Sequence, residues 1–200
     1  MLLALWGNGT IRVLTGFLFL FAAFVVKAHT EHEPTTQLLM LGVVGAAAGL
    51  GSFAGNAAGA RLPMRRPDAI VLWCAVGALA SAVLAALLPG LLTAVLVGLV
   101  ASSTSSLAKV SLDATLQRDV PEASRASAFG RSETVLQLAW VFGGALGVLL
   151  PPEYWVGFTV VSVILALGLL QTELTRRGTT MVPRLGGARP RRSPATSRAS

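Results

Sequence analysis

The sequence predicts an all-α integral membrane protein of six transmembrane helices, with both termini in the cytoplasm. Three observations lead to this. Of 200 residues, 54% are apolar and only 12% charged, about half the ~25% charged share of an ordinary globular chain. Mean hydropathy is +0.69. The charges sit mainly at breaks between long uncharged runs, and they collect on one side of them. A single cysteine leaves no internal disulfide. A disulfide-stapled secreted domain and a disordered chain are therefore both excluded.

Crossing ~30 Å of hydrocarbon takes ~20 helical residues. The uncharged runs are Gln37–Ala60 with 24 residues, Ala69–Leu88 with 20 and Leu91–Ala108 with 18. Thr134–Pro152 and Tyr154–Thr172 add 19 each. A shorter run of 14, Val13–Val26, lies between Arg12 and Lys27. The long stems of those two side chains can snorkel to opposite interfaces. The spans are thus expected near 10–28, 37–60, 69–88, 91–112, 130–151 and 154–172. Residues 1–172 form the membrane domain, and 173–200 a basic, disordered cytoplasmic tail. Met1-Leu-Leu-Ala-Leu-Trp6 lacks a basic n-region and does not read as a signal peptide; it reads as the continuation of something longer.

The connections test these spans. One side carries Arg12, then Arg61, Arg65 and Arg66, then Arg118, Arg125 and Arg131 within the polar stretch from Lys109 to Glu133, and finally the tail. The other side carries the loop after Lys27, the Pro89-Gly90 break and Pro151-Pro152-Glu153. Of 16 basic residues, only Lys27 falls on that second side, as the positive-inside rule requires. The tail holds 7 basic residues and 1 acid, the remaining body 9 and 8. The net charge of +7 therefore belongs mostly to the tail, where it favours anionic lipid headgroups. It does not indicate a nucleic-acid partner. The expected location is the cell membrane of a bacterium.

Span two carries Gly45/Gly49, Gly51/Gly55 and Gly55/Gly59, each pair four apart, and span five carries Gly143/Gly147. In lipid such small residues let helix backbones approach closely. Within the spans the polar candidates for a substrate path are Gln137, Ser52, Asn56 and Trp140, followed by the hydroxyls of Ser102 to Ser106. Each has interhelical hydrogen bonding as its ordinary role. Lys109 and Asp113 are spaced to meet on one helix face. With Arg61, Arg65, Arg66, Arg131 and Glu133 they are candidates for a cytoplasmic ion-pair belt, a gate.

No enzyme is expected. His29 and His32 lie with Glu31 and Glu33 in one polar loop, Cys74 stands alone, and nothing resembles an activated nucleophile or a phosphate loop. No metal or cofactor is expected either.

Gly55-Asn-Ala-Ala-Gly59-Ala-Arg61-Leu-Pro-Met-Arg65-Arg66 runs from glycine to basic residues. Asp113-Ala-Thr-Leu-Gln117-Arg118-Asp-Val-Pro121 is followed by Arg125 and Phe129-Gly130-Arg131-Ser-Glu133. These segments and the six-span pattern resemble the carboxy-terminal half of a major facilitator superfamily transporter, over residues 1–172. The first segment is similar to the family's loop motif, with Gly59 where its acidic residue is expected. The resemblance implies half of a secondary transporter that moves a small solute by alternating access. A second six-helix half or another copy would complete it within the bilayer. The alternative is a non-transporting membrane scaffold or accessory subunit.

Overall fold

The computed structural model describes residues 2–30, 33–62 and 66–177. They form six α-helices: α1 (Leu2–His29), α2 (Pro34–Arg61), α3 (Pro67–Leu87), α4 (Leu91–Asp119), α5 (Glu122–Leu149) and α6 (Tyr154–Arg176). Each is long and apolar enough to cross a membrane.

Proline sets most of the breaks. Pro34 and Pro67 occupy the first turns of α2 and α3, where a missing N–H costs nothing. Pro89-Gly90 separates α3 from α4, and Pro151-Pro152 separates α5 from α6. Two expectations change at the breaks that lack a strong signal. The stretch between the spans expected at 91–112 and 130–151 belongs to the two helices themselves. It is helical except around Val120-Pro121, because charged residues do not end a helix and Pro121 does. Arg125 Nη2 then donates to the carbonyls of Gln117 and Val120 at 3.2 and 3.4 Å, satisfying acceptors that the end of α4 leaves open. The first helix also begins at Leu2, well before the expected boundary near residue 10. Arg12 had cut the uncharged run short, yet it lies within α1.

The helix with the shortest uncharged run is the most enclosed. Two-thirds of the most apolar stretch of α1 is buried, against 22% for α2 and 28% for α5. α1 packs most extensively on α5, then on α6, α4 and α3; α2 packs chiefly on α4, and α3 joins α4 to α6. Phe17 and Phe21 of α1 stack at 4.5 Å, and Phe158 of α6 meets each edge-on at 5.9 Å. All three are fully buried.

Glycines fix the two main crossings. A Cβ on Gly16 would run into the Trp140 carbonyl, and one on Gly143 into the Val13 carbonyl. Gly147 rests 2.7 Å, measured from its ideal Cβ, from the Phe17 carbonyl. Gly51 and Gly55 meet the carbonyls of Leu99 and Ser103 in the same way, and Gly59 lies against Val110. Gly45 and Gly49 do not share this packing role, since a Cβ there would meet nothing within 4 Å. At ~100° per residue, Gly45 is turned ~240° from Gly51. Glycine spacing marks a possible stripe, and helix rotation selects which stripe is used.

A polar tie accompanies the packing. Asn8 is buried, and its Nδ2 donates to the carbonyls of Ala4 at 3.0 Å and Ala108 at 2.8 Å. This bond joins α1 to α4.

Two substitutions test the crossings. Gly143→Leu should cost about 3 kcal/mol or more, because the obstacle is backbone that cannot rotate away. Gly49→Ala should change stability by no more than about 1 kcal/mol. Thermal melts in one detergent read the contrast. Asn8→Ala should cost roughly 1–3 kcal/mol in the same assay, because the Ala108 carbonyl loses its donor across the helix pair.

Candidate functional site

Four helices converge on a polar cavity of about 320 Å³. α1 contributes Arg12 and Thr15, α2 Ser52 and Asn56, α4 Ser102, Ser105, Ser106 and Lys109, and α5 Trp140. The glycine crossings determine which side chains reach it. Ser52 and Asn56 each follow a contact glycine of α2, so they turn ~100° away from the crossing itself. Arg12 lies one turn before Gly16 on the same face of α1.

Beside it lies an apolar cavity of about 480 Å³. Its walls include Leu18, Phe19, Ala22 and Ala23 from α1 and Leu41, Val44, Gly45 and Ala48 from α2. The two cavities share Thr15, Ser102 and Trp140. The Trp140 ring sits 5.7 Å from that of Phe19. Gly45, open as a packing position, is thus part of the apolar wall.

Lys109 is the hub of an ion network at the edge of the polar cavity. Its Nζ pairs with Asp113 Oδ1 at 2.9 Å within α4 and with Glu133 Oε2 at 3.0 Å on α5. Gln137 Nε2 donates to the other Glu133 oxygen at 3.1 Å. Both oxygens of Glu133 are therefore engaged. Arg12 has no ion pair among the described residues, and its Nε is buried without a hydrogen-bond partner. It is the charge in this region with its donors uncommitted. It lies ten residues into α1, ~15 Å along the axis at 1.5 Å per residue.

The structure separates the residues proposed from sequence. Ser52, Asn56 and Trp140 line the polar cavity. Gln137 does not; its side chain is exposed and reaches the site only through Glu133. Of the candidate gate, Lys109, Asp113 and Glu133 come together. Arg131 lines a separate groove with Leu5, Val120 and Ser132. Arg61 and Arg66 are exposed at the end of α2 and the start of α3. Arg65 lies outside the described residues, as do Glu31, His32 and 178–200. Sequence reasoning missed Arg12 as a cavity residue, treating it as the border of a span. The usable signal was its four-residue spacing from Gly16, which puts it on the packed face.

Comparison with known proteins gives relatives without a described activity. The chain is 51% identical over 187 residues to an uncharacterized protein of Mycobacterium leprae (strain TN), covering 94% of this chain and 32% of that protein. It is 53% identical over 187 residues to uncharacterized proteins of Mycobacterium tuberculosis, strains CDC 1551 / Oshkosh and H37Rv, covering 94% of this chain and 33% of each. The chain therefore spans about a third of the length of these relatives. No family model matches it, and no solved structure does.

The network invites a double-mutant cycle. Lys109→Met and Glu133→Gln should couple by about 0.2–1 kcal/mol, the range for pairs that keep some solvent contact. Lys109→Met alone should cost more than Glu133→Gln alone, because it strands two carboxylates instead of one cation that retains Asp113. Unfolding of purified variants in detergent measures both.

Proposed function

We propose that the chain is one six-helix half of a secondary transporter of the major facilitator type, moving a small solute by alternating access. The observation that carries this reading is the polar cavity. It lies where α1, α2, α4 and α5 meet, inside a bundle of membrane-length apolar helices. Polar and ionisable groups are expensive among such helices and usually mark substrate or ion pathways. Substrate sites in transporters built from repeats lie at the interface between halves.

Two further observations support a missing partner half. α2 and α5 bury little of their surface, and Leu38, Leu39, Leu50 and Phe53 on α2 and Leu138, Val141 and Phe142 on α5 are exposed. The relatives are about three times as long as the matched segment, which leaves room for a second half in the same polypeptide. Six successive crossings bring both ends of this segment to one side of the membrane. The arginine-rich connections assign that side to the cytoplasm by the positive-inside rule. The location is then the plasma membrane of a bacterium, with the bilayer as the first partner and the second half, or another copy, as the next.

In this mechanism the glycine crossings keep each half rigid while the halves rock. The Lys109–Asp113–Glu133 network ties α4 to α5 near the cavity and serves as a gate when those helices separate. Gln137 extends it along α5. No step requires bond chemistry, and the reading assigns the chain no enzymatic role.

The test is flux. Proteoliposomes carrying the longer Mycobacterium leprae relative should take up labelled solutes from a panel of organic acids, bases and neutral metabolites. The equivalent of Ser105→Leu, which fills the cavity, should reduce uptake at least tenfold while thermal stability is kept. Gln137→Ala should alter the solute profile with folding intact. If no solute moves in any preparation, the scaffold or accessory role replaces transport.

A further inference from the structure

We propose that the polar and apolar cavities form one binding site for an amphipathic organic anion, with its charged head at Arg12 and its apolar body along Leu18, Phe19, Val44 and Ala48. The proposal rests on the reading of this cavity as a substrate path and specifies what would occupy it.

The sign of the charge follows from the lining. Among the described residues, no acidic side chain borders either cavity. The nearby carboxylates are engaged: Glu133 binds Lys109 through one oxygen and Gln137 through the other, and Asp113 binds Lys109. A cationic ligand in the polar cavity would meet Arg12 and Lys109 on its walls and reach these carboxylates only in competition with Lys109. Arg12 presents a guanidinium whose Nε is buried with no protein acceptor. Leaving a buried charged donor unpaired is costly. A carboxylate, sulfate or phosphate head supplies the acceptors it lacks, and a guanidinium fork binds such heads through two parallel hydrogen bonds. Ser52, Asn56 and Ser105 stand around the same cavity with hydroxyl and amide donors for further head-group oxygens.

The need for an apolar body follows from continuity. Thr15, Ser102 and Trp140 border both cavities. A ligand with its head at Arg12 therefore passes the Trp140 ring to enter the larger, apolar space. That space lies between α1 and α2, which make few direct contacts with each other. A small hydrophilic anion would leave it unfilled. An alkyl chain fills it and removes its walls from competing solvent or lipid, the ordinary arrangement of a mostly apolar pocket with a few convergent polar groups. The head chemistry is common to a soluble alkyl carboxylate and to an anionic membrane lipid.

Dodecanoate is a direct probe. Equilibrium binding is measured on the purified chain in phosphatidylcholine nanodiscs, with empty nanodiscs subtracted. Dodecanol and dodecyltrimethylammonium serve as neutral and cationic controls of equal chain length. Saturable dodecanoate binding is expected, and Arg12→Gln should weaken it about tenfold or more, the loss for a charge-assisted hydrogen bond. Dodecanol affinity should change less than twofold in that variant. Arg12→Lys should give an intermediate loss, keeping the charge without the fork. Ala48→Phe, which fills the apolar cavity, should weaken dodecanoate and dodecanol together; it tests the site independently should Arg12→Gln fail to fold.

Replacing phosphatidylcholine with phosphatidylglycerol separates the two sources. Displacement of dodecanoate assigns the site to an anionic lipid, and undiminished binding assigns it to a soluble amphipathic anion. Absence of saturable dodecanoate binding overturns the proposal. So does equal binding of dodecyltrimethylammonium, or an Arg12→Gln variant that binds as tightly as the parent. Binding without flux in proteoliposomes would leave this site standing and remove the transport reading. Flux of solutes with no affinity for the Arg12 site would do the reverse.

Discussion

Backbone contact at two helix crossings governs the architecture, one between α1 and α5 and the other between α2 and α4. Lipid tails are as apolar as leucine, so burying leucine gives two helices in a membrane little reason to associate. Close approach and shape complementarity must supply that reason. Gly16 and Gly143 each lie against the partner helix's carbonyls, at Trp140 and Val13 respectively. Gly51 and Gly55 seat α2 on Leu99 and Ser103. These approaches set the rotation of four helices at once. The polar side chains of those four helices inherit their direction from them.

The cavity is such an inherited feature. With Gly16 against α5, Arg12 and Thr15 turn toward the space between α1, α2, α4 and α5. With Gly51 and Gly55 against α4, Ser52 and Asn56 turn toward the same space. Side chains that could each have bonded within its own helix are thereby gathered around one volume. Some hydroxyls still do bond locally: Thr15 donates to the Arg12 carbonyl at 3.0 Å and Ser103 to the Leu99 carbonyl at 2.8 Å. Local bonding of this kind lets hydroxyls sit among apolar helices at small cost. Arg12 makes no such bond, and its Nε is buried without a hydrogen-bond partner. Among the side chains lining the polar cavity, it is the one with a buried donor that lacks a partner.

The buried core and the exposed faces divide the labour differently from a water-soluble bundle. The buried aromatic cluster of Phe17, Phe21 and Phe158 joins α1 to α6 and lines neither cavity. Large apolar side chains on α2 and α5 point outward. In lipid an exposed leucine is satisfied where it stands, so these faces can meet either acyl chains or another helical half. The distribution sets the polar cavity among largely apolar helix faces.

Much of this was legible from residue order alone. Hydropathy is a property of single residues summed along a window, so the number of helices, their membrane length and the proline-marked breaks at Pro34, Pro67, Pro89 and Pro151 follow without knowing any contact. So did Ser52, Asn56 and Trp140 as polar groups within spans, and the Lys109–Asp113 spacing. Direction around the helix axis is a property of pairs of helices, and only the tertiary structure decided it. Gly45/Gly49 and Gly51/Gly55 share the same spacing, yet one pair opens onto a cavity or free space and the other carries a crossing. Gln137 was the most polar residue of its span, yet it points away from the cavity and binds Glu133. Arg12 bounds an uncharged run in the sequence, yet it lies inside α1, the most enclosed helix, facing the site. Charge along a chain can be read as a boundary; whether it faces headgroups or a cavity depends on which neighbouring backbone its helix has been packed against.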